Sequence, residues 1–244
     1  SESNAVQPAQ AGGAILLPPG PGPLVPTSAP GPFVRTRMTH DAEARRALRR
    51  EYRARRRAIA PGVRAAAAEQ AARVLAAAGL PKPNSRVAAY LPTDGEFDPA
   101  PVLALARARG CRVHVPVLLP LPGRMAFGPL DAPAHAWRVN RFGMREPGAV
   151  AALLRRPQDL DLVLVPLVAF DAAGHRLGMG AGYYDRAFAY LRQRGAWHRP
   201  RLLGLAFDLQ QAEAIESAAW DVPLWGVLTE TRLHRPRLAS AGPG

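Results

Sequence analysis

This sequence lacks several features that common classes of protein require. Its one cysteine, Cys111, cannot form a disulfide within the chain, so we expect a reducing, cytoplasmic location. No run of about 18 uninterrupted apolar residues occurs, and we therefore expect no helix that spans a membrane. The six histidines are scattered, without a pair at metal-ligand spacing, which argues against a structural zinc site. The Gly-Lys-Ser/Thr triplet of a P-loop is also missing.

Acidic residues are fewer than basic ones, and lysine is almost absent. The net charge is +13, and Lys82 is the only lysine, so nearly all of the positive charge is carried by arginine. A charge of this sign favours anionic partners such as nucleotides or nucleic acids. The hydrophobic content of 48% over 244 residues is enough for a sizeable core.

The amino-terminal part of the chain has a composition that differs from the rest. Residues 1–34 hold eight prolines and five glycines and show no apolar periodicity. We predict a disordered leader over residues 1–37, one α/β domain over residues 38–236 and a flexible tail over residues 237–244. The sequence has no initial methionine, and Met38 lies just before the first ordered pattern, which favours an upstream extension or a misplaced start.

Helical and strand patterns alternate along the predicted domain. Helical patterns begin at Asp41, at Val63 and at an N-cap at Asp98, and a further helix-like segment covers residues 209–218. Apolar strand patterns cover residues 86–91, 111–119, 162–170, 202–207 and 224–228. This alternation predicts an α/β fold with a single doubly wound, mostly parallel sheet and helices on both faces.

A glycine-rich segment follows the apolar strand over residues 162–170. Glycines recur at positions 174, 178, 180 and 182, and residues 183–194 have helical character. A glycine-rich loop lets backbone N–H groups approach an anion, and a following helix adds the positive end of its dipole. A dinucleotide-binding fingerprint would need a further glycine where Tyr183 stands. Arg176, Tyr184 and Asp185 on the same loop favour a nucleotide site over a plain glycine turn.

The segment Gly174-His-Arg-Leu-Gly-Met-Gly-Ala-Gly-Tyr-Tyr-Asp-Arg186 resembles the signature of 5-formyltetrahydrofolate cyclo-ligases, also called methenyltetrahydrofolate synthetases. Further parts of the chain agree with the family in order, at residues 44–49, 94–98, 140–147 and 220–223, the last followed by residues 228–230. The resemblance covers roughly residues 40–233. It implies an enzyme that uses ATP and Mg²⁺ to convert 5-formyltetrahydrofolate to 5,10-methenyltetrahydrofolate through a phosphorylated formyl intermediate, with release of ADP and phosphate.

The resemblance also implies which residues bind the nucleotide. Arg45 and Arg49 lie one helical turn apart and would reach the triphosphate, although the family usually has lysine where Arg45 stands. Arg176 and Tyr183 are the catalytic candidates, and Asp185 is the candidate Mg²⁺ ligand; its simpler role is to stabilise a helix N-terminus. The remaining nucleotide contacts would come from Gly178, Met179, Gly180, Ala181, Gly182 and Tyr184.

The same resemblance implies that other residues bind the folate. Glu96 matches the glutamate that accepts hydrogen bonds from pterin N–H groups, and Tyr183 would also contact the substrate. Apolar walls for the flat pterin could come from Trp137, Phe142 and Met144. Trp220 and Asp221 are expected to be structural.

Two alternative functions stay open at this point. One is a divergent, non-catalytic member of the family that binds RNA, and the other is an ATP-dependent enzyme that acts on another N-formyl or amide substrate. No RNA-binding motif is visible, so we expect no nucleic-acid partner, no membrane association and a monomer that binds a reduced folate.

Overall fold

The computed structural model describes residues 33–121, 123–141, 143–148, 154–192 and 199–236. The chain divides into two compact units, Ser1–His40 and Asp41–Gly244. Helix α1 covers Phe33–Arg57 and therefore begins before the predicted start at Asp41. The predicted tail and most of the predicted leader lie outside the described residues, so their disorder stays a prediction.

The second unit is built on a sheet of seven strands. The strands of this sheet are β1 Arg86–Ala88, β2 Arg112–Leu118, β3 Met125–Pro129, β6 Leu162–Pro166, β9 Arg201–Leu205, β10 Gly226–Leu228 and β11 Leu233–His234. Their order across the sheet is β11-β10-β9-β6-β1-β2-β3. The five central strands pair in parallel, and the two edge strands, β3 and β11, are antiparallel to their neighbours. The predicted α/β fold with a mostly parallel sheet is confirmed.

Two smaller pairs of strands lie outside the main sheet. One is an antiparallel hairpin of β4 Trp137–Val139 and β5 Arg145–Pro147. The other joins β7 Ala169–Phe170 to β8 Arg176–Leu177 and leads directly into the glycine-rich loop.

Both faces of the main sheet are covered, as predicted. Alternate residues of a strand point to opposite faces, so Val87 packs on the side of helices α2 Pro61–Ala77 and α3 Ala100–Ala108. Ala88 packs on the other side, with Phe188 next to the short helix α4 Tyr183–Ala187. Complete burial of a side chain such as Phe188 contributes about 1.5 to 3 kcal/mol of stability.

Several predicted elements are shorter or divided in the structure. The strand predicted over residues 86–91 ends at Ala88, and the one predicted over residues 162–170 is interrupted between Pro166 and Ala169. The helix predicted over residues 183–194 consists of α4 and a 3-10 turn, Ala189–Arg192. None of the helices in the described part of the chain combines the length and apolarity that a membrane span requires.

The prediction of a helix over residues 209–218 is wrong. Only a 3-10 turn, Asp208–Gln210, forms there. The backbone N–H of Ala212 instead donates to the carbonyl of Phe170 (2.7 Å), and that of Ile215 donates to Asp171 Oδ2 (2.9 Å). These long-range hydrogen bonds and the burial of Ile215 outweigh the local helix propensity of an alanine-rich segment.

Candidate functional site

A cleft of about 500 Å³ opens at the carboxyl end of β6, where Val165 and Pro166 line it. Ligands of open α/β sheets bind at this end of the strands. All of the predicted nucleotide residues line the cleft: Arg45, Arg49, Arg176, residues 178–182, Tyr183, Tyr184 and Asp185. The structure therefore brings together residues that are distant in the sequence.

The glycine-rich loop owes its course to two residues with positive φ. Gly180 has φ +101° and Gly182 has φ +65°, which are values that side chains with a Cβ rarely adopt. At Gly182 an added Cβ would also lie 2.8 Å from Nη1 of Arg186. Because α4 is only five residues long, its dipole is weaker than the predicted helix would supply. An anion at this loop would then be bound mainly by the loop N–H groups and nearby cations.

Two of those cations come from α1. Arg49 donates from Nε to the carbonyl of Gly178 (2.8 Å), which attaches the helix to the loop. Arg45 donates from Nη1 to the carbonyl of Glu216 (2.6 Å) and lies 3.5 Å from Asp221 Oδ2. Burial and then the positive charge of Arg45 lower the pKa of Arg49. The two guanidinium groups repel each other, and a bound anion would relieve that repulsion.

The same helix is attached further along by Tyr52. This side chain is buried and donates from its hydroxyl to the carbonyl of Gln211 (3.2 Å). Together with the contacts of Arg45 and Arg49, it fixes α1 against the carboxyl-terminal third of the chain.

The buried Arg176 and the partly exposed Asp185 form an ion pair in this structure. Nη2 of Arg176 lies 2.5 Å from Asp185 Oδ1, and Nη1 donates to the carbonyl of Val222. The backbone N–H of Val222 donates to the same Oδ1 (3.2 Å). Burial lowers the pKa of Arg176, and the charge of Asp185 acts in the opposite direction. The pair therefore joins the glycine-rich loop, α4 and the segment around Val222.

The carboxylates at the cleft suit magnesium better than a transition metal. No group of three or more His, Cys, Asp or Glu side chains that could hold a metal occurs among the residues the structure describes. Asp185 and Asp221 both line the cleft. Magnesium is commonly held by one or two carboxylates together with substrate phosphates and water, so this donor set fits it.

The two tyrosines differ in their surroundings. Burial, and then the charge of Glu96, raise the pKa of Tyr184, which keeps this phenol neutral and able to donate a hydrogen bond. The hydroxyl of Tyr183 accepts from Nη2 of Arg141 (2.5 Å), and the guanidinium carbon of Arg186 lies 5.2 Å from its ring centroid. Tyr183 is thus bordered by two cations that the sequence did not single out.

Glu96 is not part of the cleft wall. It lies in the loop between β1 and α3, beside a separate cavity of about 310 Å³. Its Oε2 accepts from the backbone N–H of Thr93 (3.1 Å), and burial raises its pKa. Its charge nevertheless acts on Tyr184, which lines the cleft, and helps to raise the pKa of that tyrosine.

The three residues predicted to form apolar walls for the pterin do not all line the cleft in the described structure. Met144 lines the cleft and is partly exposed. Trp137 lies in the β4–β5 hairpin, where its Nε1 donates to the carbonyl of Ala132 (3.0 Å). Phe142 lies outside the described residues.

Sequence reasoning missed part of the cleft. Trp220 and Asp221, expected to be structural, both line it, and Trp220 is 68% exposed. Arg186 and Arg192 line it as well. The resemblance at residues 220–223 was a signal that could have identified Asp221.

Comparison with known proteins gives consistent matches. The model of a family described as the 5-formyltetrahydrofolate cyclo-ligase family matches residues 41–230. The 5-formyltetrahydrofolate cyclo-ligase of Escherichia coli (strain K12) is 34% identical over 182 residues, which cover 74% of this chain and 97% of that protein. The cyclo-ligase of Haemophilus influenzae is 33% identical over 144 residues, or 58% of this chain and 74% of that protein.

Solved structures agree with these matches. The NMR structure of Aquifex aeolicus 5,10-methenyltetrahydrofolate synthetase aligns with a TM-score of 0.63 and 29% sequence identity. The alignment covers 79% of this chain and 93% of that one.

Proposed function

The chain belongs to the 5-formyltetrahydrofolate cyclo-ligase family, and we propose that it uses ATP and Mg²⁺ to convert 5-formyltetrahydrofolate to 5,10-methenyltetrahydrofolate. The observation that carries this proposal is the contact between Arg49 and the carbonyl of Gly178, which are 129 residues apart in the sequence. This contact supports the proposal that helix α1 and the glycine-rich loop bind the same triphosphate in one cleft.

The reaction requires activation of a poor leaving group. The formyl oxygen attacks the γ-phosphorus of ATP, the bond from that phosphorus to the ADP oxygen breaks, and an iminium phosphate forms. N10 then adds to the formyl carbon and loses its proton, and the C–O bond breaks with release of phosphate. Most of the catalytic effect in such a transfer comes from positioning and from neutralising the phosphate charge.

The residues of the cleft would divide this work. Arg45, Arg49 and the N–H groups of residues 178–182 would bind the phosphates, because these donors face one space. Asp185 would hold Mg²⁺, which would neutralise phosphate charge. Arg176, paired with Asp185, would keep that carboxylate in place and contribute positive charge at the cleft.

The folate would bind next to this cleft. Glu96 would accept hydrogen bonds from the pterin, and Tyr183 would contact the substrate from the phosphate side. The neutral phenol of Tyr184 could donate to an oxygen without taking part in charge repulsion. We also propose that the protein acts in the cytoplasm, since its single thiol, Cys111, is buried and free. We propose in addition that it is a monomer that binds no nucleic acid.

The test is turnover of the purified full chain. With 5-formyltetrahydrofolate, ATP and Mg²⁺ present, we expect the near-ultraviolet absorbance of the methenyl product to appear with one ADP and one phosphate per product. Omission of ATP, or chelation of Mg²⁺, should abolish it. Folded protein at micromolar concentration that forms no product with all components present would contradict the proposal, and ADP release without product would point to another N-formyl or amide substrate.

A further inference from the structure

Three arginines from the end of α1 converge on one carboxylate, Asp94. Arg53 approaches Asp94 Oδ2 at 2.8 Å, Arg56 approaches the same atom at 3.2 Å, and Arg57 contacts Oδ1. Burial opposes ionisation of Asp94, but the hydrogen bonds from Arg53 and Arg57 outweigh it and lower the pKa of this carboxylate. We call Asp94 and these three arginines the Asp94 cluster.

Arg56 is the buried centre of this cluster. Its side chain is 0% exposed, which is rare for an arginine and requires that its donors find acceptors. Nε and Nη2 donate to the carbonyl of Asp94 (3.2 and 3.0 Å), and Nη1 donates to the carbonyl of Leu167 (3.3 Å). Arg56 thereby joins three parts of the fold: α1, the Asp94 loop and the segment that follows β6.

The cluster fixes the backbone of the loop that carries Glu96. Asp94 has φ +52° and Gly95 has φ +69°, both in the left-handed region. At Gly95 an added Cβ would lie 3.1 Å from Nη1 of Arg64 and 3.6 Å from Cα of Arg57. The loop is therefore held closely against α1 at the two positions that precede Glu96.

Electrostatics connects the same cluster to Glu96. Burial raises the pKa of Glu96, and the charge of Arg56 opposes that rise. In the other direction, burial lowers the pKa of Arg56, and the negative charges of Glu96 and Asp94 oppose that effect. The buried guanidinium thus both holds the loop and favours the ionised form of its functional carboxylate.

We propose that Arg56 and Asp94 are positioning residues that orient Glu96 toward the pterin of a reduced folate. This inference rests on the proposed function. Helix α1 then serves both substrates, since Arg45 and Arg49 line the cleft proposed for the nucleotide and Arg56 supports the folate loop about two to three turns further along.

The test compares Asp94→Asn and Arg56→Gln with wild type by calorimetric binding of 5-formyltetrahydrofolate and by steady-state kinetics. Asparagine tolerates the left-handed backbone, so Asp94→Asn removes charge with little change of shape. Asp161→Asn is the matched control, because Asp161 is also paired with an arginine and is 27% exposed against 21% for Asp94. Asp161 precedes β6, whereas Asp94 follows the parallel strand β1, so the two carboxylates lie beyond opposite ends of the strands.

We expect the folate Kd and KM to rise about tenfold or more in both variants, while the ATP KM and kcat stay within about twofold of wild type. Because Arg56 opposes protonation of Glu96, Arg56→Gln should also move the acid limb of folate binding to higher pH. A purely structural role would not produce that shift. The inference would be overturned if both variants fold and bind folate as tightly as the wild type, while Glu96→Gln does weaken folate binding.

Two further outcomes are decisive. If both variants fail to fold, Arg57→Met takes their place, since Arg57 contacts the same carboxylate but is 53% exposed. A normal folate Kd in that variant overturns the inference, and a raised one supports it. A wild type that binds folate but does not turn it over would contradict the proposed function, while the binding comparison would still judge the Asp94 cluster.

Discussion

Replacement of Asp185 by asparagine tests the ion pair with Arg176 and the proposed metal ligand together. The amide keeps the shape of the carboxylate and an oxygen that can accept from Arg176 and from the N–H of Val222. What it removes is the negative charge that opposes the guanidinium and that would bind Mg²⁺. Stability and catalysis should therefore respond to different degrees.

The expected loss of stability follows from the exposure of the pair. Removing one partner of a fully buried ion pair costs about 3 to 5 kcal/mol. Here the Arg176 side chain is 5% exposed and that of Asp185 is 23% exposed, and the charge of Asp221 also acts on Arg176. With the hydrogen bonds retained, we expect a loss of about 2 kcal/mol in the free energy of unfolding. In a domain of this size that loss lowers Tm by about 4 to 8 °C.

The expected loss of activity is larger. Removal of a charge that stabilises a phosphoryl-transfer transition state costs about two or more orders of magnitude in rate. We expect kcat of Asp185→Asn to fall by that factor and the Mg²⁺ concentration for half-saturation to rise. The assay is product formation over a Mg²⁺ titration, below the Tm of the variant. The control is Asp161→Asn, since Asp161 has a similar exposure of 27% and an arginine partner, Arg199, far from the cleft.

One result would refute the metal role. A folded Asp185→Asn protein with wild-type kcat and an unchanged Mg²⁺ requirement would leave Asp185 as a structural partner of Arg176 alone.

Two other predictions concern the folate and the amino-terminal helix. Glu96→Gln should weaken folate binding and leave ATP binding nearly unchanged by calorimetry; a fall in ATP affinity instead would contradict the pterin assignment. Because burial raises the pKa of Glu96, the wild-type folate KM should rise with acidification at a higher pH than an ordinary glutamate would give, whereas Glu96→Gln should show no such dependence. A chain that begins at Met38 should keep its Tm and turnover, whereas one that begins at Glu51 should lose ATP affinity because it lacks Arg45 and Arg49. A chain from Met38 that folds but is inactive would show that the predicted domain boundary is wrong.

The parts of the site that could be predicted are those close together in the sequence. A buried strand, a run of glycines and a short helix place residues 176–185 around one space by chain continuity alone. The alternation of apolar segments likewise gave the parallel centre of the sheet. Arg45 and Arg49 were found only through the family resemblance, because nothing local distinguishes them from the other arginines of α1.

The parts that could not be predicted depend on long-range contacts. Arg56 lies between Arg55 and Arg57 in the sequence, yet it alone of the three is completely buried. Arg57 also contacts Asp94, but only Arg56 donates in addition to the carbonyl of Leu167. The antiparallel edge strand β3 contains Gly128 and Pro129, which are both unfavourable in strands, and it forms by pairing with β2. In each case the partner that decides the structure is remote in the sequence.

The attachment of α1 has a consequence for synthesis of the chain. Arg49, Tyr52 and Arg45 contact residues that follow them by 129, 159 and 171 positions. Ribosomes add about 5 to 20 residues per second, so the helix emerges about 6 to 35 s before the residues it binds. During that interval the nascent chain exposes an arginine-rich helix without its native contacts. The cleft can therefore close only after residue 216 has been synthesised, and premature termination before that residue would leave α1 with an unfinished docking surface.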